Sequence, residues 1–480
     1  MADRKRHAVL AITPLLARES LYVGIDIGKK EHVAAFISST LLRQHERFEA
    51  CPILRFENDR EGFRALMERI RSYVPPEQCF VLVEKTGHYH LPLLDYLLEM
   101  DLTVHIMAVM ERPRDMLKTD KRDAQRLANH LYNQLELHVQ VADKKQMVRP
   151  ALPPGAAALD LRGIIQHRRE LVRECTRRRN KLTAICDQLF PEFTHIFKDP
   201  NGPTALAVRA AFPTAHAVVT ANLADLCALR IWRQPSKENL ARLQQLAAQT
   251  IGVKDLVRQR TLAFEQGQLV RELHLAQEHV TQLETHIEQV IAVSREGRIL
   301  TSIPGIGTES AAVLLAAIGN IFNFPNAAAL KAYLGWSPHL TQTGTTLNSA
   351  RLAPAGTRAT RATMYLVVMN AVQKDNAWAS LYKRLVPTKC AYDERKGDYV
   401  GKNKVIGRVA GQMISQIYML LKTDAELLAT LSPGLEPPEP LLYDPEVHRA
   451  HVAGGYTPAK GRPIPARIVA LPRRSAEPSD

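Results

Sequence analysis

Cysteine is scarce and unpatterned in this sequence. Six residues (Cys51, Cys79, Cys175, Cys186, Cys227 and Cys390) are scattered with no Cys-x-x-Cys pair. That excludes the common zinc spacings and a disulfide framework, and it suits a reducing cytoplasm. Long hydrophobic runs are also missing. No stretch of about 18 apolar residues occurs, so no membrane partner is expected. Met1–His7 is charged and Ala8–Leu16 is apolar, but that stretch is short, contains Pro14 and is followed by Arg18 and Glu19, so no secretory signal is expected. Acidic residues are too few to balance the basic ones, 49 against 63, which leaves a net charge of +14. A basic balance of this size favours an anionic partner, with nucleic acid ahead of a membrane surface.

The chain does hold enough apolar material for globular cores, 46% over 480 residues, and that length predicts two or three domains. Residues 1–20 read as a loose basic leader. From Leu21 the pattern is α/β. Tyr22–Ile27 and His32–Ser38 are apolar runs joined by a Gly-containing turn, and Gln44–Phe56 can supply a third strand. Asp59–Tyr73 has helical spacing, with Phe63, Leu66, Met67 and Ile70 on one face. Strands follow at Cys79–Glu84 and Leu102–Ala108, and helices at Leu91–Met100 and Lys121–Leu131. Residues 21–150 are thus expected to form a mixed sheet flanked by helices. Residues 151–296 are different: Asp160–Gln188 and Lys254–Val293 are long, charged and helical. Leu269, Leu273, Val280, Leu283 and Ile287 recur at roughly heptad spacing. A coiled-coil arm used for self-association fits, and so does a helical bundle packed on the rest of the chain. Residues 297–430 are expected to be mainly helical and Gly-punctuated. Residues 431–480, rich in Pro and Arg and without periodicity, read as a disordered basic tail.

Four carboxylates stand out. Asp26 ends the first strand in Tyr-Val-Gly-Ile-Asp-Ile-Gly-Lys, and Glu84 ends a later one in Val-Leu-Val-Glu-Lys-Thr-Gly. Asp120 and Asp123, in Lys-Thr-Asp-Lys-Arg-Asp-Ala, share one face at a helix mouth. A charged residue closing an apolar strand points to a cleft or to solvent rather than to a core. Carboxylates gathered from separate elements need a cation between them, and hard oxygen donors suit Mg²⁺ or Mn²⁺. Two such ions can activate an attacking oxygen and stabilise a leaving one on a phosphodiester. Each carboxylate alone also reads as a cap, turn or surface charge, and Asp120 could simply N-cap its helix.

Two later segments bear on nucleic acid. In Ser302-Ile-Pro-Gly-Ile-Gly-Thr-Glu-Ser-Ala-Ala, Gly305 and Gly307 allow close backbone approach, and the helix that follows offers free N–H groups to a phosphate. The segment resembles half of a helix-hairpin-helix motif; a tight turn packing an apolar helix fits equally. Tyr333–Arg361 reads as a hydroxyl-rich loop with Gly335, Gly344 and Gly356 and three arginines. Arg351, Arg358 and Arg361 suit bidentate phosphate contact, although a solvated polar loop has the same composition. Beyond it, Lys402, Lys404 and Arg408 are candidate backbone contacts or a solvated basic face.

Gly-Ile-Asp-Ile-Gly-Lys, Glu-Lys-Thr-Gly-His-Tyr and Lys-Thr-Asp-Lys-Arg-Asp-Ala resemble the N-terminal domain of the DEDD-type insertion-sequence transposases, and Leu300–Met364 looks like their C-terminal domain. The resemblance covers roughly residues 21–150 and 297–430. It implies an RNase H/RuvC-like fold, a DNA transposase activity, and metal-binding roles for Asp26, Glu84, Asp120 and Asp123. Lys85 stands where the family more often has Ala, and touches none of these four. The family's Ser nucleophile, in a Gln-Ser-Gly-Thr-type motif, aligns with Thr343 in Gln342-Thr343-Gly344. Thr keeps a hydroxyl, while its methyl group restricts χ1. Thr343, or Ser349 in its place, is therefore the expected nucleophile. The resemblance further implies DNA ends and target as substrates, a structured guide RNA, and a homo-oligomer. A junction-type nuclease using only the carboxylates, or an impaired transposase-derived binding protein, would share most of these features.

Overall fold

The computed structural model describes residues 15–446 apart from 17, 85–87, 108–118, 142–146, 230, 232–234, 344–346, 353–355 and 433. The chain divides into two compact units, residues 1–153 and 154–480. Among the described residues no helix is long and apolar enough to cross a membrane.

The first unit is built on β1 (Leu21–Asp26), β2 (Glu31–Ile37), β3 (Ile53–Glu57), β4 (Cys79–Glu84), β5 (Thr103–Met107) and β6 (Arg149–Pro150), with helices α1 (Ser39–His45), α2 (Arg60–Tyr73), α3 (Leu91–Glu99) and α4 (Asp120–Leu135). The sheet order is β3-β2-β1-β4-β5-β6. The first three strands form an antiparallel meander, and β1, β4 and β5 run parallel. This is a mixed, helix-flanked sheet of the kind the resemblance implies. Strands β1 and β4 are apolar at nearly every position because helices cover both faces. The expected third strand from Gln44 to Phe56 is shorter than predicted. Ser38 accepts a hydrogen bond from the Leu41 N–H at 3.2 Å and starts α1, so strand geometry begins only at Ile53.

The second unit opens with α5 (Ala156–Leu189), continues through α6 (Pro203–Ala211), α7 (Ala215–Thr220), α8 (Leu223–Ala228) and α9 (Lys237–Ala248), and returns along α10 (Leu256–Val293). Helices α5 and α10 are antiparallel: Arg168 pairs with Glu284 at 2.6 Å, Arg178 with Glu272 at 3.0 Å, and Lys181 with Glu265. Of the heptad positions, Leu269, Leu273 and Ile287 are buried, while Val280 and Leu283 are only half-buried. The periodicity is therefore used within the chain, as a helical hairpin. Helices α6–α9 cap its far end around a separate core that includes Phe193, Phe197, Val208, Leu226 and Leu243. The cap leaves and rejoins the hairpin at one point, where the Val253 N–H donates to the Gln188 carbonyl at 2.9 Å.

The remaining helices are α11 (Arg295–Ser302), α12 (Thr308–Ile318), α13 (Ala327–Tyr333), α14 (Arg358–Val372), α15 (Ala377–Lys389) and α16 (Asn403–Ala429). Strands β7 (Pro338–Thr343), β8 (Leu347–Leu352), β9 (Ala391–Asp393) and β10 (Asp398–Val400) form two small hairpins. Helix α16 runs through the core, burying Val405, Val409, Met413, Ile417 and Leu420. The expected disordered tail is ordered at its start. Residues 434–446 are held by Arg295, which donates to the Pro438 and Glu439 carbonyls, by the Tyr443 N–H donating to Ser302 Oγ at 2.9 Å, and by Tyr443 stacked on Trp378. The rest of the tail and most of the leader lie outside the described residues.

Candidate active site

Position 24 is glycine because nothing larger fits. A Cβ there would lie 2.1 Å from the Ala128 nitrogen, 2.4 Å from the Ala124 carbonyl oxygen and 2.7 Å from the Leu127 carbonyl carbon. Helix α4, with Ala at 124 and 128, thus lies directly on β1 and spreads over β2 and β4. Its direction follows from neighbouring contacts. The Tyr22 ring meets Tyr132 edge-on at 5.3 Å, and its hydroxyl donates to Glu136. Burial and the Glu136 carboxylate both push the Tyr22 phenol well above its usual pKa, so it stays a donor. Moving along one face of β1 from Tyr22 to Gly24 therefore moves back along α4 from residues 132–136 to 124–128. The next residue on that face is Asp26, towards the N-terminal end of α4.

That turn begins Asp120-Lys-Arg-Asp123. Thr119, not Asp120, is the N-cap, accepting from the Arg122 N–H at 3.3 Å. Both carboxylates complement the helix dipole. Asp123 is 9% exposed and faces the sheet, whereas Asp120 is exposed at the rim. On the sheet side, β1 and β4 pair in parallel through Ile25 and Val83, so Asp26 and Glu84 end adjacent strands at the same level, about 4.8 Å apart in backbone spacing. Glu84 is 7% exposed and Asp26 half-buried. The structure thus puts Asp26 and Glu84 on neighbouring strand ends, with Asp123 buried in the first turn of α4 and Asp120 exposed. Among the described residues no three His, Cys, Asp or Glu side chains stand close enough to hold a metal ion as placed. The donor set is nonetheless of the right kind: hard carboxylate oxygens from two strand ends and a helix mouth, all in one unit.

In the second unit, α11, a turn at 303–307 and α12 form a helix–turn–helix pair. Gly305 has φ +97°, and a Cβ there would meet the Val367 carbonyl oxygen at 2.6 Å, so it serves close packing on α14. Gly307 is different: it precedes α12 and a Cβ there would meet nothing within 4 Å. The segment read as a hydroxyl loop is a hairpin instead, β7 against β8, paired in antiparallel register from Pro338 with Leu352 to Thr343 with Leu347. Its base is pinched by glycines. A Cβ on Gly356, at φ +81°, would lie 2.6 Å from the Gly335 Cα. Thr343 ends β7 opposite Leu347, Thr341 stands opposite Ser349, and His339 opposite Arg351. Both candidate nucleophiles and Arg351 hence occupy register positions of one face. Arg358 and Arg361 open α14, after the Thr357 N-cap. Lys402 is not an open contact: it is 5% exposed, with its ammonium 2.7 Å from Asp398. Lys404 and Arg408 are exposed, one turn apart on α16.

Sequence reasoning missed Gly24 as the spacer that sets α4 on β1. A lone glycine inside an apolar strand, with two alanines four apart on a later helix, was the available signal.

Two comparisons bear on what this arrangement belongs to. A family model for IS110-type DEDD transposases, described as Transposase, matches residues 23–191, which include all four carboxylates. A second, described as Transposase IS116/IS110/IS902 family, matches residues 297–383, which include Gly305, Gly307, Thr343 and the three arginines. The chain is also 24% identical over 271 residues to the Insertion element IS110 uncharacterized 43.6 kDa protein of Streptomyces coelicolor, covering 56% of this chain and 64% of that protein. It thus spans a little under two thirds of that relative's length. The two family matches fall in chain order, one in the sheet unit with its outgoing helix and one in the helical unit, and together take in more than half of the residues: the chain belongs to the IS110 family of transposases.

Proposed function

We propose that this chain is a DNA recombinase of a mobile element, cutting and rejoining phosphodiesters with a divalent metal held by Asp26, Glu84, Asp123 and Asp120. The observation that supports this reading is that Asp26 and Glu84 end neighbouring strands and that Gly24 seats α4, whose first turn carries Asp120 and Asp123, directly on β1. These carboxylates would hold Mg²⁺ or Mn²⁺, which would supply charge neutralisation at the scissile phosphate. The attacking hydroxyl in this reading is Thr343 Oγ: it loses its proton, bonds to phosphorus and displaces one strand oxygen, giving a phosphothreonine link that a second strand end later resolves. Arg351, Arg358 and Arg361 bind the non-bridging oxygens. Gly307 with the start of α12, and Lys404 and Arg408 rather than Lys402, hold the backbone nearby. Family resemblance adds a structured guide RNA and a homo-oligomer. Because the Leu269–Leu273 seam is occupied within the chain, copies that associate through the arm do so by its other faces.

The test is a recombination assay with Mg²⁺ on the element ends specified by the RNA that copurifies with the protein. Asp26→Asn and Glu84→Gln are each expected to lower strand transfer by at least about a thousandfold. Thr343→Ala is expected to abolish the protein–DNA adduct on denaturing gels while DNA binding persists. Full transfer by Asp26→Asn would overturn the acidic site. Loss of the adduct in Ser349→Ala but not in Thr343→Ala would move the nucleophile to Ser349.

A further inference from the structure

The turn that follows Asp26 is anchored from inside the sheet unit. Strand β1 ends at Asp26 and β2 begins at Glu31, so residues 27–30 lie at the sheet edge where β4 ends in Glu84. The Gly28 N–H donates to His32 Nδ1 at 3.2 Å. His32 is fully buried, its ring 5.2 Å from that of Phe56 and 6.2 Å from that of Phe63. An Nδ1 that accepts carries no proton, so the ring is neutral with its proton on Nε2. Position 28 must be glycine, because a Cβ there would lie 2.2 Å from the Glu31 carbonyl oxygen. Asn58, just after β3, ties down the rest of the turn. Its N–H donates to the Lys30 carbonyl at 2.7 Å and its Nδ2 to the Lys29 carbonyl at 3.2 Å. Residues 28, 29 and 30 are thus each held by a hydrogen bond, while the Lys29 and Lys30 side chains are exposed. Of the carboxylates at this end, Glu31 pairs with Arg55 at 2.9 Å and Asp59 caps α2. Glu57 stands opposite Glu31, and neither lysine forms an ion pair among the described residues.

We propose that His32 is a positioning residue: it fixes the β1–β2 turn so that Lys29 and Lys30 bind phosphates of a DNA duplex laid against the acidic edge. An exposed chain reversal needs no such anchorage, because water satisfies its peptide groups. Lysine side chains are flexible, and a backbone already fixed lowers what binding has to order. The charge pattern fits as well. Carboxylates ending β1 and β4 repel a polyanion, and cations three and four residues after Asp26 offset that repulsion where DNA must approach. The occupant is DNA because the chain belongs to a transposase family. It is a duplex because residues 27–31 carry no aromatic ring on which the bases of a single strand would stack. The inference rests on DNA lying at this edge, as proposed above, but not on the metal or on Thr343.

The test measures binding of a DNA duplex of about 40 base pairs and arbitrary sequence by the full-length protein in EDTA, between about 50 and 200 mM salt. Lys29→Gln/Lys30→Gln removes two phosphate contacts and is expected to lower the salt slope by about 1.8, so that across this range its affinity falls about twelvefold less than the wild type's. A control loses equal charge at the opposite end of the sheet, Arg47→Gln/Arg71→Gln, and keeps the wild-type slope. Two replacements separate positioning by His32 from mere packing. Asn puts Oδ1 where Nδ1 stood and gives up the ring, whereas Phe keeps the ring and gives up the acceptor. Positioning predicts that His32→Phe lowers the slope by about 1 or more and that His32→Asn stays within about 0.3 of wild type. The reverse order overturns the role of His32. Amide hydrogen exchange in β1 and β4 confirms that each variant keeps its sheet, and the exposed lysine pair decides the phosphate contact even where a His32 variant does not fold. A lysine variant with the control's slope overturns the proposal and leaves the proposed function standing, as does a drop seen with an RNA duplex and not with DNA. No DNA binding by the wild type overturns both.

Discussion

Gly24→Ala is the most direct test of how the acidic edge is assembled. The added methyl would lie 2.1 Å from a backbone nitrogen and 2.4 Å from a carbonyl oxygen of α4. Neither can rotate away as a side chain would. Restoring an ordinary contact near 3.5 Å requires α4 to retreat by roughly 1.4 Å. Overpacking of this kind costs about 1–3 kcal/mol, and the upper end applies because both neighbours are backbone. Amide hydrogen exchange followed by mass spectrometry reads the effect locally. A loss of about 3 kcal/mol speeds exchange of β1 and α4 amides by around 150-fold, with the second unit unchanged. Because Asp123 moves with the helix, the strand transfer proposed above should also fall about a hundredfold. Exchange within threefold of wild type, with full activity, would refute the close packing of α4 on β1 and the placement of Asp123 that follows from it.

Gly356→Ala should open the base of the β7–β8 hairpin, since it combines a positive φ with overlap on Gly335; faster proteolysis between residues 335 and 357, with α16 intact, is the expected readout. Arg209, 4% exposed, donates to Gln266 and to the Leu182 and Pro200 carbonyls. Arg209→Met should cost about 3 kcal/mol through those orphaned acceptors, seen as faster exchange in residues 203–248. Burial holds His32 and His105 below the usual histidine pKa of 6.5, against a hydrogen bond to Asn58 in the case of His32. The unfolded chain then binds these protons more readily, so the sheet unit should lose stability as pH falls below about 6.5 and hold it above. Melting curves at pH 7.5 and 5.5 check the sign, and His105→Phe should shrink the difference.

What could be read in advance was whatever is written locally. Strand β4 falls on its expected bounds because an apolar run of five closes on a glutamate, and α2 begins after its Asp59 cap. The first half of the expected third strand failed because Ser38 caps a short helix that hydrophobicity alone does not announce. The β7–β8 hairpin was hidden by its polar composition, since stretches such as Leu340-Thr-Gln-Thr343 and Leu347-Asn-Ser-Ala-Arg351 look like loop until a partner strand is supplied. Lys402 was counted among open cations although Asp398, four residues earlier, was in plain view. The four carboxylates could be singled out by their positions at element ends. That Asp26 and Glu84 end neighbouring strands could not be read, because it depends on the parallel pairing of β1 with β4, nearly sixty residues later in the sequence.

The α6–α9 cap has a consequence for how this chain can change. Its two ends meet at Gln188 and Val253, and it keeps a core of its own. A segment inserted in this way can be lengthened, exchanged or replaced by a reporter without shifting the register of the two arm helices, because only one point of the arm is interrupted. Several stitches constrain the exchange: Gln266 of the arm gives and takes hydrogen bonds with Arg209, Arg209 also donates to the Leu182 carbonyl, and Asn201 donates to the Arg179 carbonyl. Any replacement must supply a cation there or arrive with an apolar residue at 266. The far end of the arm is thus a modular socket, open to recombination in its own coding sequence.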